Sequence, residues 1–163
     1  PILSDYIETK GLKDIVVVSP DLGGVTRARQ LADRLEAPIA IIEKRRPMPG
    51  VAEVMNLIGS IEGKTAVIVD DIVDTAGSLV EGAKALGKFG AKEVYACCTH
   101  AILSDPAIAR VEASNIKELI ITDTIPLAEE KKSSKIKILS VAPVFAEAIE
   151  LIYGQKSVSK LFR

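Results

Sequence analysis

Six short runs rich in Val and Ile recur along the chain, at residues 14–19, 39–43, 65–70, 93–99, 118–122 and 136–140, and most lead through a turn into a helical pattern. Alternation of this kind builds βα units, and βα units close into a mostly parallel sheet covered by helices on both faces. The helical stretches fall at 24–35, 76–89, 105–113 and 144–153, with Gly90 and Gly154 as stops, and a further amphipathic segment occupies 2–9. The expectation is an α/β domain with a sheet of about five strands. Its ligand loops should gather at the carboxyl edge of that sheet, where open α/β folds bind. No repeat, low-complexity tract or linker interrupts the 163 residues, and we read them as one domain.

Lys and Arg number 21 against 22 Asp and Glu, so no global field favours nucleic acid or an anionic membrane, and any anion site must be local. A hydrophobic fraction of 48% with 26% charged residues excludes a disordered or fibrous chain. The longest apolar runs, such as 15–18 and 66–69, fall far short of the roughly 18 residues a membrane helix needs. Cys97 and Cys98 are neighbours inside an apolar run, a poor disulfide framework, and no signal segment opens the chain. A cytoplasmic, thiol-reduced protein is expected. The chain begins at Pro1 rather than at Met, which leaves truncation or processing open.

Three segments carry chemistry. In VIVDDIVDTAGSL, residues 67–79, a buried strand ends in two adjacent carboxylates, Asp70 and Asp71, and Asp74-Thr75-Ala76-Gly77-Ser78-Leu79 then opens a helix. Small residues there let backbone N–H groups and hydroxyls converge on a phosphate at the positive end of the helix. The carboxylates would repel that phosphate, but they suit vicinal hydroxyls or magnesium, and the combination describes a sugar phosphate. The alternative is a plain helix start capped by Asp74 or Thr75. In SPDLGGVTRAR, residues 19–29, Asp21, Leu22, Gly23 and Gly24 follow another strand. Two glycines allow close backbone approach to a diphosphate with Asp21 on its metal, or they form a plain left-handed turn. In EKRRPMPGVAEVM, residues 43–55, the cations Lys44, Arg45 and Arg46 lie among two prolines and a glycine, read as a long mobile excursion. That excursion is either a solvated charge run or a lid for a transferring phosphoryl group. A second charged loop is expected at 122–135, and His100, the single histidine, receives no role.

In chain order these three segments resemble those of the ribose-phosphate pyrophosphokinase family, the phosphoribosyl diphosphate (PRPP) synthetases, and the similarity continues through GAKEVYACCTHAILSDPA to QKSVSKLF. It is a resemblance to the C-terminal half of a two-domain enzyme, both halves of which are similar to type I phosphoribosyltransferases. It implies a ribose 5-phosphate loop at Asp70 to Leu79, with Asp71 toward the ribose hydroxyls and Thr75 to Ser78 around the 5-phosphate. It also implies a diphosphate loop at Asp21 to Gly24 with Asp21 as a magnesium ligand, and a catalytic loop with Lys44 as catalytic lysine and Arg46 beside the substrate. The implied reaction moves the diphosphoryl group of ATP to the 1-hydroxyl of ribose 5-phosphate, giving PRPP and AMP. Ser157, Ser159 and Phe162 resemble part of a regulatory ADP or phosphate site at a subunit interface, which implies a homo-oligomer. Met48 and Leu22 depart from the family's usual residues, neither at a position that supplies an implied group. In the family much of the ATP site, and a histidine sharing the metal with the position of Asp21, come from the N-terminal half. Without those groups this half is expected to bind the sugar phosphates and to catalyse poorly. Competing readings are a small type I phosphoribosyltransferase, for which no segment offers a hood over the base, a non-catalytic PRPP-binding subunit, and a fragment that serves assembly.

Overall fold

In the computed structural model, which describes residues 1–45 and 54–162, seven strands form one sheet in the order β3-β2-β1-β4-β5-β6-β7. They are β1 (Ile15–Ser19), β2 (Ile39–Arg45), β3 (Val54–Ile58), β4 (Thr65–Val73), β5 (Glu93–Ala101), β6 (Ile116–Thr122) and β7 (Ile136–Leu139). The helices are α1 (Ile2–Thr9), α2 (Val25–Arg34), α3 (Gly77–Lys88), α4 (Ala107–Ala113) and α5 (Ala142–Tyr153). Every ladder is parallel except β2 with β3.

Period-two alternation divides the core between the two faces of the sheet. Ala66 and Ile68 of β4 face one side with Ala96 and Cys98 of β5, where Leu79, Ala83 and Leu86 of α3 and Val111 of α4 cover them. Val67, Val69 and Cys97 face the other, under Ile7 of α1 and Ala28, Leu31 and Ala32 of α2. The α2 residues recur at helical spacing, so one stripe of that helix is apolar and the remainder stays wet. Burial pushes the Cys98 thiol up to about 12, and pushes that of Cys97 up as well, so both behave as small apolar residues.

Three expectations change. The sheet has seven strands where about five were expected, because β3 adds an edge strand to the six runs read from the sequence. The predicted excursion over 43–55 is in part a β-ladder: β2 runs on to Arg45, and Lys44 pairs with Met55 and Arg45 with Val54. Met55 and Leu57 pack on the core while Asn56 and Ile58 face out, an alternation too short and too poor in β-branched residues to read from sequence. Residues 46–53, with Arg46, Pro47 and Met48, lie outside the described residues. The carboxyl ends of β4 and β5 also reach further than expected, which places Asp71 and His100 on strands.

The chain leaves β1 through α2 toward β2 on one side, while β4 pairs with β1 on the other. Strand order therefore reverses between β1 and β4, and the crevice at that point receives the loops after both strands.

Candidate functional site

The loop after β1 is held by its own side chains. Asp21 accepts the Gly24 N–H on Oδ1 at 2.9 Å, and Ser19 donates its hydroxyl to the Asp21 carbonyl at 2.7 Å. Neither Gly23 nor Gly24 adopts a positive φ, so the left-handed turn does not form; Gly24 sits at φ −82°. Its need is space. A Cβ on Gly24 would lie 2.8 Å from Ser19 Oγ and 3.4 Å from Arg27 Nη1, and a Cβ on Gly23 would lie 3.3 Å from Asp21 Oδ1. Asp21, Leu22 and Gly23 are exposed at the rim, while α2 starts from Gly24 without a side-chain cap.

Beside it, β4 ends in Asp70 and Asp71. Arg27 of α2 reaches across the crevice to both, with Nη1 at 3.3 Å from Asp70 Oδ1 and Nη2 at 2.6 Å from Asp71 Oδ2. Asp70 also accepts the Asp71 N–H at 2.8 Å, and Asp71 accepts the Ile72 N–H at 2.9 Å. Burial raises the Asp70 carboxyl to about 6, assisted by its hydrogen bond and like charge with Asp71, against the pull of Arg27. Asp71 is exposed and held below the usual carboxylate range. Desolvation, the largest single effect, pushes it up, but the hydrogen bond with Asp70, the Arg27 guanidinium and the backbone N–H groups together outweigh it. The pair therefore splits into one carboxylate poised near neutrality and one firmly ionised.

The turn into α3 is strained where the sequence offered a cap. Ala76 takes the N-cap position in the left-handed region at φ 57°, and no side chain caps the helix, so capping by Asp74 or Thr75 does not occur. The first-turn amides of α3 are left to other acceptors. Asp74, Thr75 and Ser78 are exposed around this turn, whereas Ala76 and Leu79 are buried in the core, so those two contribute backbone rather than side chains to any site. Behind the turn, Ile102 and Leu103 donate their N–H groups to the Val73 carbonyl at 3.0 and 3.2 Å, and Arg110 of α4 donates to the Thr75 carbonyl at 2.9 Å.

Of the remaining candidates, Lys44 lies at the end of β2 beside β1, with its backbone alone described, and Arg46 lies outside the described residues. Ser157 and Ser159 are exposed and 2.6 Å apart through their hydroxyls, close to a Lys160–Glu147 ion pair at 2.7 Å that ties the tail to α5. Phe162 ends the short 3₁₀ turn of Ser159–Phe162. His100 bonds Thr124 Oγ1 through Nδ1 at 3.0 Å, a satisfied strand histidine. Sequence reasoning does not find Arg27 or Arg110. The first sits among other cations in VTRARQLADR, and the second is a lone cation in AIARVEA with no motif around it. The one available hint is that Arg27 stands a single turn beyond the glycine pair.

A mostly parallel seven-stranded sheet covered by helices, with the loops after β1 and β4 meeting at its switch point, is a type I phosphoribosyltransferase-like fold. Adenine phosphoribosyltransferase from Thermoanaerobacter pseudethanolicus shares that fold at a TM-score of 0.50 and 20% identity, over 73% of this chain and 78% of that one. The resemblance narrows with phosphoribosylpyrophosphate synthetase from Mycobacterium smegmatis, which superposes at a TM-score of 0.85 with 36% identity over 94% of this chain and 50% of that one. The chain belongs to the phosphoribosyl synthetase-associated domain family, whose pattern matches residues 43–163. Among curated relatives it is 67% identical over 162 residues to ribose-phosphate pyrophosphokinase from Bacillus cereus and 64% identical to that from Bacillus subtilis, in each case over 99% of this chain and 51% of the relative. The chain thus spans about half the length of the curated relatives it matches. Among the described residues, no helix is long and apolar enough to cross a membrane.

Proposed function

We propose that this chain is the C-terminal, sugar-phosphate-binding half of a ribose-phosphate diphosphokinase, which transfers the diphosphoryl group of ATP to the 1-hydroxyl of ribose 5-phosphate and yields PRPP and AMP. The observation that carries this reading is the placement, at one sheet edge, of the Asp70–Asp71 pair next to the uncapped first turn of α3. The amides and hydroxyls from Thr75 to Ser78 take the 5-phosphate, Asp71 and Asp70 accept from the ribose hydroxyls, and Asp21 to Gly24 take the diphosphate.

The carboxylates fit magnesium, which retains waters and is held by one or two carboxylates plus substrate phosphates. Among the described residues, Asp21 has only its Oδ1 committed, to the Gly24 N–H, and Asp70 and Asp71 already hold a cation in the form of Arg27. When bound, magnesium would neutralise charge on the transferring diphosphoryl group. The 1-hydroxyl oxygen forms a bond to the β-phosphorus of ATP and gives up its proton to water, as the bond from that phosphorus to the oxygen it shares with the α-phosphorus breaks and AMP leaves with that oxygen. Lys44 and Arg46, at and beyond the end of β2, stabilise the charge in that transition state. Much of the ATP site comes from the other half. Ser157, Ser159 and Phe162 belong to a regulatory anion site between subunits of a homo-oligomer, and the enzyme is cytoplasmic.

Calorimetric titration with ribose 5-phosphate, PRPP and an ATP analogue in magnesium tests the reading, together with AMP release. The two sugar phosphates should bind, with little ATP binding and little AMP release. A chain that binds neither sugar phosphate would refute the proposal, and AMP release dependent on ribose 5-phosphate would refute the half-enzyme part of it.

A further inference from the structure

We infer that Arg110, on a helix outside both ligand loops, is a positioning residue for the phosphate cradle. The inference rests on the proposed sugar-phosphate reading and deepens it. Nη1 of Arg110 donates to the Thr75 carbonyl at 2.9 Å, one residue before the left-handed Ala76 and two before the start of α3. A Cβ added to Gly77 would lie 3.4 Å from the same Nη1 and 4.0 Å from Cζ, so the guanidinium covers the outer face of the turn where a larger residue than glycine would stand. Among the described residues, no carboxylate lies within 4.0 Å of Arg110, so no ion pair draws its guanidinium away from the turn.

Two physical effects follow. Ala at a left-handed φ is strained, and the strain persists only where neighbours over-determine the backbone. Arg110 supplies one of those constraints from α4, and the Ile102 and Leu103 amides on the Val73 carbonyl supply the others. The α3 amides are thereby held toward the crevice before ligand arrives, so less of the binding free energy is spent on ordering the turn. The fixed cation also adds to the positive end of α3, and both favour a dianionic phosphate.

The test compares Arg110→Lys, Arg110→Gln and Arg110→Met in the full chain, by calorimetry with ribose 5-phosphate and, separately, with magnesium diphosphate as the ligand of the Asp21 loop. Lys keeps the charge and a donor, Gln keeps a donor alone, and Met keeps neither. A hydrogen bond from a charged group is worth enough that Met should weaken ribose 5-phosphate binding roughly tenfold or more. Lys should rescue most of the loss and Gln less. Magnesium diphosphate affinity should not change, and the salt dependence of ribose 5-phosphate binding should flatten in Gln and Met. If the wild type binds ribose 5-phosphate and all folded variants bind it equally, the inference fails while the functional reading stands. Equal losses for both ligands would also overturn it, as a general structural defect. Should the Met variant not fold, a Lys and Gln pair indistinguishable from wild type gives the same refutation. A wild type that binds no ribose 5-phosphate removes both.

Discussion

Replacing Asp70 by Asn should stabilise the ligand-free protein near pH 7.5 and leave it unchanged near pH 4. The Asp70 carboxyl is raised to about 6 from an ordinary value of 3.8, chiefly by burial and then by its hydrogen bond with Asp71. A raised carboxyl favours its protonated form in the folded state, so the folded chain binds more protons than the unfolded one between roughly pH 4 and 6. The stability this provides is complete below the unfolded pKa and is lost as pH rises through about 6. A shift of about two units corresponds to at most ~3 kcal/mol, and solvent at the half-buried pair reduces that to roughly 1–2 kcal/mol. Asn reproduces the protonated state: its Oδ1 still accepts the Asp71 N–H and the Arg27 Nη1, and its Nδ2 can donate to Asp71. Urea unfolding followed by far-ultraviolet circular dichroism from pH 4 to 8 measures the difference. A variant less stable than wild type at pH 7.5, or a gap that fails to shrink toward pH 4, would refute the assignment of the raised carboxyl to Asp70.

Asp71→Asn should weaken ribose 5-phosphate binding several-fold, because it removes the firmly ionised acceptor and one arm of the Arg27 clamp; unchanged calorimetric affinity would remove that role. Gly24→Ala should cost about 1–3 kcal/mol in urea unfolding, since the new methyl meets Ser19 Oγ at 2.8 Å and must displace the hydroxyl that fixes Asp21. The same variant should lose magnesium diphosphate affinity, and a stable variant with wild-type affinity would show that the loop needs no glycine there.

What the sequence makes legible is what repeats. The Val and Ile runs at 15–18 and 66–69 are read correctly as strands because burial on both faces leaves no polar residue to obscure them. DTAGS stands out because five small or polar residues that leave a strand and open a helix have few other uses. Edge pairing is harder to see: β3 depends on cross-strand partners on β2, and nothing within VMNLI announces them. The capped helix start, the alternative reading of this segment, does not form for a related reason. Asp74 and Thr75 have the right chemistry, but the chain turns at Ala76 under constraints from α4 and the β5–α4 loop, which are distant in sequence.

Arg27 shows why a loop-by-loop reading stops short of the site. It rises from the helix that begins on the Asp21 loop, yet its guanidinium closes on the carboxylates of the neighbouring strand at 3.3 and 2.6 Å. The bond to Asp70 spans a sequence separation of 43 residues, and no local pattern records it. The consequence is electrostatic. Two adjacent carboxylates at the end of an apolar strand repel each other, and among the described residues the cation that offsets this in the ligand-free chain is Arg27. A divalent ion or a set of hydroxyls arriving at Asp70 and Asp71 must share them with Arg27 or displace it, and a displaced guanidinium remains anchored on α2 beside Gly24. On the proposed reading, a guanidinium freed from the carboxylates would stay at the mouth of the Asp21 loop, where a diphosphate would meet it.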